Sequence, residues 1–266
     1  MNQSSYIILG AGASGLLLAY RMSLDSYFDD KSILIIDQVK DKGNDKTWCY
    51  WEEGEGEWDE LLTKKWPKVF FGSKDFTETL DISPYSYKMI RSEKFYHKLW
   101  RSIELKSNIT FVEDSVKTYT EIDNRVKVVT NKSTYFGLKL LNSILDKTVY
   151  ETQQKYPVLQ QHFVGWFVKT KTDCFDDSIA TFMDFNVPQN GNTRFMYVLP
   201  IDKNIALFEY TLFSKDLLEH SEYEEAIKDY LKEKKITDFE ILEKENGAIP
   251  MTCLLYTSDA ADDTPC

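Results

Sequence analysis

The chain has 266 residues, 42% of them apolar, a formal net charge of -11 and a pI near 4.9. That size suffices for one large domain or two intertwined ones, while acidity without a long basic tract excludes a nucleic-acid partner. Four cysteines, at 49, 174, 253 and 266, without C-x-x-C spacing, and only three histidines, argue against a disulfide framework and leave no metal site to expect.

The first predicted elements form the most informative stretch. Tyr6-Ile-Ile-Leu-Gly10-Ala11-Gly12-Ala13-Ser14-Gly15-Leu-Leu-Leu-Ala-Tyr20 reads as strand, tight turn and helix around a Gly-x-Gly-x-x-Gly fingerprint. Gly10 permits the turn, Gly12 lets backbone approach a pyrophosphate, and Gly15 lets helix and strand pack closely. The helix N-terminus then offers free N–H groups and a partial positive charge to phosphate. A second strand, Ile33-Leu-Ile-Ile-Asp37, ends on an acid 22 positions after Gly15, where such βαβ units place the carboxylate that meets the ribose. The unit spans residues 5–38 and predicts a dinucleotide site; its position near the N-terminus favours FAD over NAD. The apolar stretch from Ile7 to Met22 fits this turn better than a membrane span, no leader is read before it, and cytoplasm is the expected compartment.

Further along, Thr47-Trp48-Cys49-Tyr50-Trp51-Glu52-Glu53 is an aromatic excursion, followed by six acids between Glu52 and Glu60. Strands are predicted at Trp66–Phe71 and Tyr85–Ile90. Ser92 is placed as the cap of a helix reaching Leu105, with Phe95, Leu99 and Ile103 as its buried stripe. Ile109–Val112 and Val126–Val129 read as strands with Asp123-Asn124 at the turn between them, whereas Tyr135–Leu145 fits helix or strand. From Phe163 the chain is β-rich: 163–168, 179–183, 193–199 and 205–211, read as an antiparallel meander, then a helix over Tyr223–Lys234. The expected fold class is α/β, a Rossmann-like FAD/NAD(P)-binding domain interleaved with an antiparallel β-sheet substrate domain built mainly from 66–90 and 163–212.

Two acids break the apolar pattern. In Ala206-Leu207-Phe208-Glu209-Tyr210-Thr211, alternation sets Leu207, Glu209 and Thr211 on one face and Phe208 and Tyr210 on the other. With the Leu207 face inward, Glu209 is a carboxyl in apolar surroundings and a candidate general acid. With the Phe208 face inward it is a plain surface charge. Asp184, in Phe182-Met183-Asp184-Phe185, poses the same choice. Aromatic residues make up 14% of the chain and can line a channel for a long apolar molecule or steady a carbocation. His97, His162 and His220 stand apart from any serine or cysteine motif, so no nucleophilic triad is expected.

The order of these pieces resembles the lycopene cyclase family, flavoproteins that form carotenoid rings. The matching residues are the fingerprint from Gly10 to Gly15, Lys46–Glu52, Tyr87–Ile90 with Phe95-Tyr96, Phe163–Trp166, Phe182–Phe185, Phe195–Pro200, Leu207–Thr211 with Phe213-Ser214, and Gly247–Thr252. The resemblance implies FAD, used in its reduced form with NAD(P)H as reductant and held by Gly10, Ala11, Gly12, Ala13, Ser14, Gly15 and Asp37. It further implies a net non-redox cyclisation of lycopene, or a related polyene, to β-rings in carotenoid biosynthesis. An oxidoreductase of the same build, a hydroxylase or isoprenoid reductase, is the alternative. The first glutamate of the family's Phe-Leu-Glu-Glu-Thr signature falls on Glu209, the expected catalytic acid, and Asp184 follows as a supporting acid or cation stabiliser. The signature's second glutamate is Tyr210 here, which removes the motif's own second carboxylate. A lipid-dissolved substrate implies peripheral contact of a cytoplasmic protein with a membrane surface. The resemblance covers residues 1–252; the segment 253–266 reads as a non-native tail, and a chain lacking the family's later flavin-contacting segment is expected to be inactive.

Overall fold

A computed structural model of the protein describes residues 3–145 and 147–254. In chain order the elements are β1 (Gln3–Leu9), α1 (Ala13–Leu24), β2 (Ile33–Asp37), β3 (Thr47–Glu53), β4 (Leu62–Trp66), β5 (Lys68–Ser73), β6 (Phe76–Asp81), β7 (Tyr85–Arg91), α2 (Ser92–Ile103) and β8 (Ile109–Glu113). There follow β9 (Val116–Ile122), β10 (Arg125–Thr130), β11 (Thr134–Asn142), α3 (Lys147–Glu151), β12 (Leu159–Thr170), β13 (Ile179–Asp184), β14 (Thr193–Asp202), β15 (Ile205–Ser214), α4 (His220–Glu233) and β16 (Phe239–Met251). The chain divides into two units: residues up to 47 with 91–145, and 48–90 with the chain from 147 on.

The first unit is built on a six-stranded sheet in the order β8-β2-β1-β11-β10-β9, in which β8, β2, β1 and β11 run parallel. Its central strands are apolar on both faces, and Ile7, Ile8, Leu9 and Ile33 to Ile36 are all buried, as a parallel sheet covered on both sides requires. Helix α2 buries Phe95, Leu99 and Ile103 as its spacing predicts, together with Tyr96 and Trp100. Ser92 does not cap it: Arg91 holds the N-cap position, and the Ser92 hydroxyl donates to the Gly43 carbonyl and accepts from the Lys46 amide, tying down the loop before β3. The Asp123-Asn124 turn is present, with φ of 49° and 59°, but it joins β9 to β10 rather than β8 to β10. Strand β9 escapes the sequence reading because it lies at a sheet edge with almost every side chain exposed, so no apolar alternation marks it. The ambiguous 135–145 segment resolves into β11, the parallel neighbour of β1.

The second unit holds a seven-stranded sheet, β16-β12-β15-β14-β13-β5-β6, and a three-stranded one, β3-β7-β4. The meander expectation holds only for β13-β14-β15; β12 skips past its sequence neighbour to pair with β15, and β13 pairs in parallel with β5. Strand β16 lies outside the elements the sequence predicts. Its sequence, rich in Glu and Lys, disguises a strand that pairs with β12 along nearly its whole length. Both faces of this sheet are covered. On one, α4 buries Tyr223, Ile227, Tyr230 and Leu231 against Trp166, Met196, Phe208, Tyr210 and Leu212. On the other, Trp66, Tyr87 and Met89 of the small sheet pack against Phe167, Ala180, Leu199 and Leu207.

The acidic run after β3 has a structural use. Lys88 is fully buried, and its ammonium donates to Glu52 (2.9 Å), the Gly54 carbonyl (2.9 Å) and Asp59 (2.5 Å). Burial pulls its pKa down, but the two carboxylates outweigh this and hold it above the ordinary lysine value.

Candidate active site

Within the first unit, the glycine loop has the geometry its spacing predicts. Gly10 sits at φ +91°, a left-handed conformation that side chains disfavour, and a Cβ on Gly15 would overlap the Gly10 carbonyl oxygen. Gly12 is different: its φ is -78°, and a Cβ there would meet nothing within 4 Å. Nothing in the described chain demands glycine at that position, so the space it leaves is space for another molecule. Gly12 caps α1 without a side-chain hydrogen bond, and the first intrahelical bond runs from the Leu16 amide to its carbonyl, 3.0 Å. The amides of Ala13, Ser14 and Gly15 thus precede the helical ladder and face out along the axis. Asp37, at the end of β2, accepts from the amides of Ala11 (2.5 Å) and Val39 (3.1 Å) and pairs with Lys42 at 2.8 Å. Partial burial works against its charge, but Lys42 and the two amides prevail and hold the carboxyl below its ordinary pKa. A carboxylate has about four acceptor positions, which leaves room for a hydroxyl donor. The donor set fits the adenosine diphosphate half of a dinucleotide.

In the second unit, Glu209 lies on β15 opposite Gly165 of β12 and Tyr197 of β14. Its surroundings are those of the first alternative, a carboxyl on a covered Leu207 face. The Phe208 face is inward, under α4, yet the Leu207 face is covered too, so Glu209 is a partly buried acid on the face opposite the helix. One oxygen accepts from the Thr211 hydroxyl at 2.9 Å. Burial, reinforced by the like charge of Glu245, pushes its pKa up to about 8 against the weaker pull of that hydrogen bond. It therefore keeps its proton at neutral pH. The surrounding Cys49 thiol and Tyr87 and Tyr197 hydroxyls are also raised, by burial first and neighbouring groups second, and stay neutral.

Tyr197, the cross-strand partner of this acid, and Tyr87, which faces it, belong to a run of aromatic contacts. Trp51 lies 4.8 Å from Tyr87 and 5.1 Å from Phe182, Phe182 lies 5.9 Å from Tyr197, and Tyr197 lies 5.1 Å from Phe195, all between ring centroids. Such a wall repels water and presents negative ring faces to a cation.

Asp184 is not part of it. Its carboxylate points to the other face of the sheet, where it accepts from Tyr230 of α4 at 2.7 Å and from the Asn186 backbone and side chain at 3.0 and 2.9 Å, with Lys234 at 3.4 Å. Burial is outweighed by these donors, so its pKa falls below the ordinary value and it holds no proton to give. These contacts fasten Asp184 to α4 and to the turn that follows β13. The histidine reading also needs an addition. His162 is buried between Ser214 (2.7 Å) and Tyr223 (2.6 Å). The Ser214 hydroxyl donates to the Asp216 carbonyl at 2.5 Å and so accepts from His162, the reverse of what a nucleophile needs.

Sequence reasoning missed Glu245. It lies on β16 opposite Gly165, on the same face as Glu209, with 8% of its surface exposed. Glu209, Gly165 and Glu245 thereby form one row across three adjacent strands. Only strand pairing shows this, since the two acids stand 36 positions apart. Position 210, where the motif has its second glutamate, faces α4, and Tyr210 is buried there. Among the described residues no group of three or more His, Cys, Asp or Glu could hold a metal, and no helix is long and apolar enough to cross a membrane.

A glycine-loop α/β unit and a second unit built on a seven-stranded sheet define the class: this is the Rossmann-like fold of FAD-dependent flavoproteins. At TM-scores of 0.69 it resembles a geranylgeranyl bacteriochlorophyll reductase-like protein of Thermoplasma acidophilum (9% identity, 94% of this chain, 66% of that one) and p-nitrophenol 4-monooxygenase of Pseudomonas putida (10%, 95% and 70%). A flavin-dependent brominase matches at 0.63 (13% identity, 94% of this chain and 68% of that one). The chain belongs to the lycopene cyclase family, whose pattern it matches over residues 6–260, eight positions beyond where the motif resemblance stops. It is 24% identical over 254 residues to a lycopene beta-cyclase of Pseudescherichia vulneris, covering 92% of this chain and 61% of the relative's length.

Proposed function

We propose that the protein of which this chain is a part is an FAD-dependent lycopene β-cyclase, an intramolecular lyase of the isomerase class working on a polyene. The observation that carries the reading is Glu209, a carboxyl that keeps its proton at neutral pH on an aromatic-walled face. Its proton passes to the terminal double bond of a ψ-end, leaving a tertiary cation that the neighbouring double bond attacks to close the ring. Loss of one proton from the ring carbon adjacent to the new cation then restores a double bond, so no electrons are gained or lost. Trp51, Phe182 and Tyr197 disperse the passing charge and exclude water.

The residues that would hold FAD are the amides of Ala13, Ser14 and Gly15, the open backbone at Gly12, and Asp37. Bound and reduced, with NAD(P)H as the reductant, the flavin would supply electron-rich character that steadies positive charge without net redox change. Gly12→Ala tests the site: FAD binding, read by flavin fluorescence quenching, is lost, while the thermal midpoint stays within about 1 °C because the added methyl meets nothing in the chain. The lipid-only solubility of the substrate supports peripheral contact with the cytoplasmic face of a membrane.

Because the chain spans 61% of the curated relative, the activity test uses the full-length protein in cells that accumulate lycopene. Ring formation turns red cells orange. Glu209→Gln abolishes that change; retention of it overturns the assignment. The flavin-oxidoreductase alternative is favoured by the monooxygenase and reductase-like neighbours. It predicts stoichiometric NAD(P)H consumption, whereas a cyclase consumes only enough to reduce the flavin once.

A further inference from the structure

Gly165 is the one glycine of β12, and its place in the sheet is specific. It separates Glu209 on β15 from Glu245 on β16, paired directly with each. A Cβ there would come within 2.9 Å of a Leu207 methyl and 3.1 Å of the Glu245 Cγ, so the glutamate side chain leans over the glycine, toward Glu209. Two neighbouring strand spacings put the two Cα atoms about 10 Å apart, and glutamate side chains reaching over a bare backbone close most of that gap. The apolar setting allows one charge there and penalises two.

We propose that Glu209 and Glu245 form a carboxylate pair across Gly165 that carries one proton at neutral pH, Glu245 being the positioning residue whose charge keeps that proton on Glu209. The groups facing Glu209 from the packed elements are Cys49 of β3, Tyr87 of β7, Tyr197 of β14 and Glu245 of β16, with Thr211 on its own strand; β12 contributes Gly165. The thiol and phenols are neutral at this pH, so Glu245 is the one charged group of the set. Phe-Leu-Glu-Glu-Thr places two glutamates side by side in sequence; here a distant strand returns the second carboxylate to the face that the neighbouring position cannot reach. The inference rests on the acid role of Glu209 for its meaning, but not for its test.

The test is an infrared titration of the substrate-free protein, the Glu209 carboxyl band being identified by its loss in Glu209→Gln. In Glu245→Gln the midpoint of that band drops by about one pH unit, and in Glu245→Asp, which keeps the charge, it returns toward wild type. A drop smaller than about half a unit overturns the pair. Should Glu245→Gln fold poorly, a second uncharged replacement decides: in Glu245→Met the Glu209 midpoint falls by the same amount, and an unmoved Glu209 midpoint overturns the proposal. A surviving coupling alongside unimpaired ring formation in Glu209→Gln would sink the cyclase reading alone. In the full-length enzyme the alkaline limb of the pH–rate profile moves down with the infrared midpoint.

Discussion

The two faces of the seven-stranded sheet each bury an acid, and the structure treats them oppositely. On the helix side, Asp184 is fully shielded yet ionised, because Tyr230, Asn186 and Lys234 direct donors at it. On the other side, Glu209 keeps its proton, because burial, reinforced by the like charge of Glu245, outweighs the single hydrogen bond from Thr211. Depth alone therefore does not decide protonation; the count of donors and the sign of the nearest charge do. One acid is a fastener for α4, and the other is available for chemistry.

The largest effect expected from breaking this contrast is on turnover. In the full-length cyclase proposed above, Glu209→Gln lowers ring formation by about 10²- to 10⁴-fold, the usual worth of a positioned acid, with no loss in the urea midpoint at neutral pH. Asp184→Asn does the reverse. It strips charge from the hydrogen bonds to Tyr230 and Asn186 and costs about 1–3 kcal/mol of stability by urea denaturation, while the pH–rate profile of the folded fraction keeps its shape.

The pH dependence of stability sharpens the comparison next. Glu209 holds its proton up to about pH 8 when folded but only to its ordinary value of 4.5 when unfolded. Between those values the unfolded state binds fewer protons, so the Glu209 contribution falls as pH rises, by about 1.4 kcal/mol per pH unit. Glu209→Gln removes that slope in a series of denaturant melts. Asp184, held low, contributes stability above its unfolded pKa that is lost as pH falls through the folded one, so its variant flattens the acid side instead. The smallest effect belongs to the aromatic wall: Phe182→Leu lowers turnover by about 2- to 30-fold, the worth of a single cation–π contact at 0.5–2 kcal/mol, and leaves both pH profiles in place.

Much of the first unit was legible in the residues. The βαβ unit reads directly because glycine positions, apolar runs and the acid at the end of β2 are local signals, each set by backbone conformation within a few residues. Strands β9 and β16 were not legible, since each lies at a sheet edge where polar side chains are tolerated and no alternation survives. Glu209 stood out as an acid in an apolar strand, but its environment could not be read from alternation. That reasoning assumed one covered face, and this sheet has two. Asp184 stood out for the same reason, but its partners Tyr230 of α4 and Lys234 at that helix's C-cap lie 46 and 50 positions away and are invisible to a local reading.

Sequence by itself determined the glycine turn, the helix that follows it, the family and the acid at position 209, since all of these reside in short contiguous runs whose chemistry is local. Tertiary structure alone decided which acid keeps a proton. A carboxyl's charge depends on the donors, dipoles and like charges that distant strands bring within a few ångströms, and the pairing of β12 with both β15 and β16 is what brings Glu245 to Glu209.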